Sequence, residues 1–195
     1  ILSSEPGAWT FVTMSDEYML GGTYTGLVLY RKEKGQWVFD RKLDGLKESC
    51  RIMVKDEDQS IWISHPYRGV YNVRWNAGNK DKIDIRFFNQ ENGLPTNLNN
   101  YVFQIAGKAV FATEKGVFHF DRSKDTFVPD DDFNRLLDKQ HRVRYLREDT
   151  KGNVWYVTDH EAGMLIVNDF GLKKEVRKKV IPELAGKLVG GFEFL

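Results

Sequence analysis

One cysteine stands among the 195 residues, Cys50, so no disulfide can close within the chain and cysteine spacing does not diagnose the compartment. Lying between Ser49 and Arg51 in a strand-like run, it reads as a buried, inert thiol, the usual state of free cysteine. No apolar run approaches the roughly 20 residues that a membrane-crossing helix needs. The opening Ile1-Leu2-Ser3-Ser4-Glu5 is neither basic nor long enough for a secretory leader, and a chain that opens without Met reads as an excised segment. Charge of one sign is also missing: 29 basic against 28 acidic residues leave a net +1. Nucleic acid and acidic membranes, which call for a clustered basic excess, are therefore not expected partners. Proline is scarce, at 5.

Glycine and aromatic residues are plentiful, with 17 glycines and 13% aromatics, a balance that suits β structure. They recur in a pattern: an apolar strand, a short polar loop, a glycine, a second apolar strand. The four copies are Tyr18–Gly22 with Gly26–Tyr30, Ile61–Ser64 with Gly69–Val73, Val110–Thr113 with Gly116–Phe120, and Val154–Thr158 with Gly163–Val167. The second-strand glycines stand at 26, 69, 116 and 163, in steps of 43, 47 and 47 residues. Short strands repeating at about 40–50 residues point to propeller blades.

Each copy extends in both directions. Aligned on Trp62 and Trp155, Arg51 meets Arg144 and Asp56 meets Asp149, each at one end of a preceding strand and polar turn. A fourth strand follows each glycine strand, as in Gln36–Phe39 and Lys82–Phe88. Four antiparallel strands are the complement of one blade. The fold class is accordingly all-β, with about four blades over approximately 8–46, 47–96, 97–140 and 141–186, and 187–195 opening another. The whole of 1–195 reads as one β-propeller segment. An open arc leaves unpaired edges, so a piece of a larger ring is expected rather than a complete four-bladed one. Asp130 to Gln140 reads as a short helix with Phe133, Leu136 and Leu137 on one face. The run around Glu175–Val180 reads as the last blade's fourth strand, with a helical turn over Lys173–Lys179 as the alternative. Trp62 and Trp155, with Phe111 and Leu20 in the matching slots, are expected to pack between blades. The repeated glycines are expected to relieve a positive φ or a close approach.

Two stretches carry a family likeness: Glu91-Asn92-Gly93-Leu94-Pro95-Thr96-Asn97 before Tyr101–Ile105, and Leu146-Arg147-Glu148-Asp149-Thr150-Lys151-Gly152-Asn153-Val154-Trp155 before Gly163-Met164. Together they resemble the two-component regulator propeller repeat, over about residues 8 to 195. The first linker, Gly45-Leu46-Lys47-Glu48-Ser49, departs from its Gly-Leu-Pro form, and the third copy lacks the Glu-Asp turn. The resemblance implies the periplasmic sensor region of Bacteroidetes hybrid two-component proteins, anchored in the inner membrane. There a seven-bladed propeller is followed by an immunoglobulin-like domain, a membrane helix and a histidine kinase. The remaining blades and the immunoglobulin-like domain of the parent chain are then its implied partners, and a second copy of the chain is a further candidate.

In a four-stranded blade, the loop from second to third strand shares a face with the linker to the next blade. This places Tyr24, His65, Tyr67, Arg68, Asp159, His160 and Glu161, with Asn97 and Asn100 from a linker, around one mouth. Asn99, Glu114, Lys115, Arg51 and Arg144 belong to the same face. Rings and amide, guanidinium and carboxylate groups in one place suit an oligosaccharide, and the expected function is a sensor that binds one, without turnover in this segment. No cofactor or metal is expected: the four histidines show no ligand spacing. A propeller-type lyase or glycosidase is the alternative, with Glu114, Asp159 and Glu161 as its carboxylates. A protein-binding scaffold is a third.

Overall fold

A computed structural model describes residues 7–75, 78, 82–137, 141–169 and 174–184. Among the described residues, sixteen strands form four separate antiparallel sheets, each of four strands in chain order. The first sheet holds β1 (Thr10–Thr13), β2 (Tyr18–Thr23), β3 (Gly26–Glu33) and β4 (Gln36–Leu43). The second holds β5 (Ile52–Lys55), β6 (Ile61–His65), β7 (Gly69–Trp75) and β8 (Ile83–Phe88). The third holds β9 (Tyr101–Ile105), β10 (Lys108–Thr113), β11 (Gly116–Asp121) and β12 (Thr126–Pro129). The fourth holds β13 (Val143–Glu148), β14 (Val154–Thr158), β15 (Ala162–Asp169) and β16 (Lys174–Val180). The first strands of successive sheets, β1, β5, β9 and β13, lie side by side at the inner edge. This is the arrangement of propeller blades, and the described sheets form an arc rather than a closed ring.

Three apolar clusters fill the wedges between blades. Leu20, Leu27 and Leu29 of the first meet Met53, Ile61 and Ile63 of the second. Trp62, Val70 and Phe88 of the second meet Val102, Phe111 and Phe118 of the third. Val110, Ala112 and Val117 of the third meet Leu146, Val154 and Tyr156 of the fourth. Strand alternation explains the division, because neighbouring residues face opposite blades. A fourth cluster, Met19, Val28 and Tyr30, covers the outer face of the first sheet with Trp37 and Phe39.

The tryptophan slots differ from the sequence expectation in two respects. Trp62 is only 1% exposed in its wedge. Phe111, however, approaches it from the opposite blade, with ring centroids 5.2 Å apart at 86°. The residue that shares Trp62's orientation toward the following blade is Val110. A one-residue offset in the alignment moves a side chain to the other face of its sheet. Trp155 lies on the face of β14 turned away from the third blade, and it is half-buried.

The glycines serve both expected purposes. Gly69 has φ +121°, and a Cβ there would lie 2.3 Å from the Phe88 carbonyl oxygen. Gly163 has no such φ, but a Cβ would lie 2.3 Å from the Lys179 carbonyl. The helix α1 (Asp131–Leu137) forms as expected, with Leu137 buried and Phe133 and Leu136 packed on the third wedge. It docks through Asn134, whose Oδ1 accepts from the Val117 amide and whose Nδ2 donates to the Val117 carbonyl, both at 2.8 Å. Residues 174–180 form a strand, which resolves the alternative over Lys173–Lys179. The stretch 187–195 lies outside the described residues.

Candidate ligand-recognition face

The β2–β3, β6–β7, β10–β11 and β14–β15 loops emerge at the same face as the linkers between blades. Backbone hydrogen bonds hold the two sets together. The Cys50 amide donates to Thr23 O at 2.8 Å, Asn99 N to Pro66 O at 2.9 Å, and Asp159 N to Arg142 O at 3.2 Å. Each pins a linker against a loop, so the mouth is built from paired segments. Cys50 is fully buried among them, its Sγ donating to Glu48 O at 3.3 Å. Burial, then the nearby Glu48 carboxylate, pushes its thiol up to about 12, which leaves no thiolate for chemistry at neutral pH.

At the boundary between the first two blades, Tyr24 is 47% exposed and receives a hydrogen bond from Arg51 Nη2 on its hydroxyl, at 3.1 Å. Trp9 stands against it edge to face, with ring centroids 5.2 Å apart. Sequence reasoning missed Trp9. Its signal was its place just before the first strand of a blade, the position that Arg51 occupies in the second.

On the same linker as Arg51, Glu48 gathers two expected residues of the second blade's β6–β7 loop. Arg68 Nη1 donates to its Oε1 at 2.5 Å, and His65 Nε2 lies 3.6 Å from its Oε2. Tyr67 stands out from this group, 73% exposed. Burial, followed by the Glu48 charge, raises the pKa of the Tyr71 phenol beneath it. Asn99 Nδ2 donates to Glu114 Oε1 at 2.8 Å beside them. Glu48 was not among the expected residues, since a glutamate in a linker carries no local pattern.

Asn97 and Asn100 serve the linker itself. Asn97 Oδ1 accepts from the Gln90 amide at 2.8 Å. Asn100 is fully buried and its Nδ2 donates to Thr96 O at 2.8 Å. In the fourth blade, Asp159 Oδ1 accepts from Arg144 Nε at 2.5 Å, and His160 meets His141 with ring centroids 4.3 Å apart. Glu161 turns instead toward the outer strand, where it accepts from the Tyr156 hydroxyl at 3.1 Å and pairs with Lys178. Burial and then this carboxylate push the Tyr156 phenol up.

The three carboxylates required by the enzyme alternative are thus each engaged separately: Glu114 with Asn99, Asp159 with Arg144, and Glu161 with Tyr156 and Lys178. Among the described residues no cluster of three or more metal-ligating side chains occurs, and no helix is long and apolar enough to cross a membrane. An apolar cleft of about 350 Å³ lies between the third and fourth sheets beside Phe133 and Leu136. None of the nine expected site residues lines it.

Fold and face together define an arc of propeller blades that presents exposed rings and charged groups on one side. The chain is similar in fold to the extracellular domain of a protein assigned as hybrid two component system BT3049 from B. thetaiotaomicron, at 19% identity and a TM-score of 0.57, over 89% of this chain and 23% of that one. It is also similar to extracellular domains from the same organism assigned to BT4673: one described as a one component system, at 18% identity, TM-score 0.58 and 93% and 24% coverage, and one as a hybrid two component system, at 17%, 0.56 and 91% and 23%. The chain therefore spans about a quarter of the length of these proteins. No protein-family model and no curated protein matches the sequence.

Proposed function

We propose that this chain is part of the extracytoplasmic sensor of a two-component receptor, that it binds an oligosaccharide, and that binding is relayed to a histidine kinase elsewhere in the parent protein. In this reading the chain is an arc of a larger ring, located in the periplasm. The likeness in fold to extracellular domains of assigned two-component systems supports the sensor role. The single observation that carries ligand recognition is the clustering of the exposed Tyr24 and Tyr67 rings with Arg51 and Arg68 on the loop-and-linker face. Exposed aromatic rings can stack on sugar rings while guanidinium and amide donors satisfy hydroxyls.

The test is thermal denaturation in the presence of a broad panel of oligosaccharides. A ligand at about 100 times its Kd adds roughly 2.7 kcal/mol to stability, which is visible as a rise in Tm. Tyr67→Ala should abolish that rise while leaving the unliganded Tm unchanged. A panel without any shift would overturn the reading.

A further inference from the structure

The proposal concerns one part of the recognition face and rests on the sensor reading. We propose that Trp9, Tyr24 and Arg51 form a subsite for an anionic sugar residue, one that bears a carboxylate or a sulfate. The Arg51 guanidinium lies 5.3 Å from the Trp9 ring centroid and 4.9 Å from that of Tyr24. Its Nη2 donates to the Tyr24 hydroxyl, at 3.1 Å. A guanidinium carries five N–H donors in a planar fork that matches a carboxylate or sulfate edge.

Arg51 differs in its ion pairing from Arg68 and Arg144 on the same face. Arg68 is neutralised by Glu48 and Arg144 by Asp159. Among the described residues no carboxylate pairs with Arg51. Lys42 adds a second cation at the same loop, donating from Nζ to the Thr25 hydroxyl at 2.9 Å, and it too has no carboxylate partner among the described residues. The β2–β3 loop is thus flanked by two uncompensated positive charges and two exposed rings. A neutral sugar would use the rings; only an anionic one uses the charges as well.

The subsite is held in shape before any ligand arrives. The Trp9 amide donates to Gly22 O at 2.9 Å, and the Cys50 amide, one residue before Arg51, donates to Thr23 O at 2.8 Å. Gly7 passes behind the Tyr24 ring with φ +81°, and a Cβ there would lie 2.7 Å from Tyr24 Cδ2. Rings and guanidinium fixed in this way lose little freedom on binding.

The test is calorimetric titration of the full chain with three tetrasaccharides: galacturonan (carboxylate), sulfated chondroitin (sulfate and carboxylate) and xylan (neutral). At least one anionic chain should bind ten-fold or more tightly than xylan. Comparing the first two assigns the preferred anion. Arg51→Gln should remove the margin without changing Tm, and Trp9→Ala should weaken every ligand that binds. Equal affinity for xylan, or a margin that survives Arg51→Gln, overturns the proposal. So does a change in oligomeric state on Arg51→Gln, which would mean that a second copy of the chain occupies the cluster. If neutral glycans bind through Tyr67 and anionic ones gain nothing, only this inference falls. Failure of every glycan, neutral or anionic, removes the oligosaccharide reading with it.

Discussion

The indole Nε1 of Trp62 donates to Asp56 Oδ2 at 3.0 Å, inside the wedge between the second and third blades. The same carboxylate accepts from the Ala109 amide at 2.9 Å and from Arg122 Nη2 at 2.6 Å, both in the third blade. One buried aspartate therefore joins a blade's core tryptophan to the backbone and side chains of its neighbour. Asp56→Ala leaves the indole N–H and the Ala109 N–H without an acceptor, at about 1–3 kcal/mol each. The expected loss is about 3 kcal/mol by urea denaturation. A loss below about 0.5 kcal/mol, the ordinary range for surface substitutions, would mean that the clasp contributes nothing.

Asp58 lies beside this clasp and makes stability depend on pH. Burial pushes its carboxyl up, but hydrogen bonds from the Ser60 hydroxyl and amide and from Arg122 outweigh it, and the pKa sits below the ordinary value. The unfolded chain, with a carboxyl pKa of about 3.9, takes up its proton first as pH falls. The stabilisation is therefore complete above about pH 4 and is lost as pH drops through the lowered folded value. Urea midpoints of the parent and of Arg122→Gln should differ most at neutral pH and converge in acid. A constant or widening gap would contradict this linkage.

Asn134 holds α1 to the third blade by returning both hydrogen bonds of the Val117 backbone. Asn134→Ala leaves the buried Val117 amide without an acceptor, while the Val117 carbonyl keeps the Asp130 amide at 2.9 Å, and should cost about 1–3 kcal/mol. Hydrogen exchange at the Val117 amide should accelerate in parallel. Unchanged protection there would show that the helix is held by its apolar face alone.

Gly69→Ala forces an L side chain to φ +121° and against the Phe88 carbonyl. Strain of this kind costs about 1–3 kcal/mol for the backbone angle alone, so a drop in Tm of several degrees is expected. An unchanged Tm would mean that the loop relaxes without resistance.

Cys50, buried and with its thiol pushed up to about 12, should resist Ellman's reagent at neutral pH in the folded protein and react fully in concentrated guanidinium. Rapid labelling of the native chain would show that the linker around it opens.

The blades were legible in the sequence because period-two alternation, turn residues and a 43–47-residue repeat agree with one another. The short helix was legible from Phe133, Leu136 and Leu137. Orientation within a wedge was less so: Phe111 and Val110 are adjacent apolar residues, and the sequence alone does not say which faces forward. The gathering of these loops and linkers on one face was legible, but partnerships were not. Asn100 and Asn97 looked like ligand donors, yet they satisfy backbone groups of their own linker. Glu48 and Trp9 escaped notice because their importance comes from residues brought close by folding, Arg68 and His65 in one case and Tyr24 in the other.

The most direct test of the whole account is hydrogen exchange with and without the oligosaccharide that raises Tm most. Protection should concentrate in 24–25, 44–51, 65–68, 96–100 and 159–161, the loops and linkers of one face, and should spare the turns at 34–35, 56–60, 106–107 and 149–152 on the other. Protection confined to those opposite turns, or spread evenly over both sets, would contradict it.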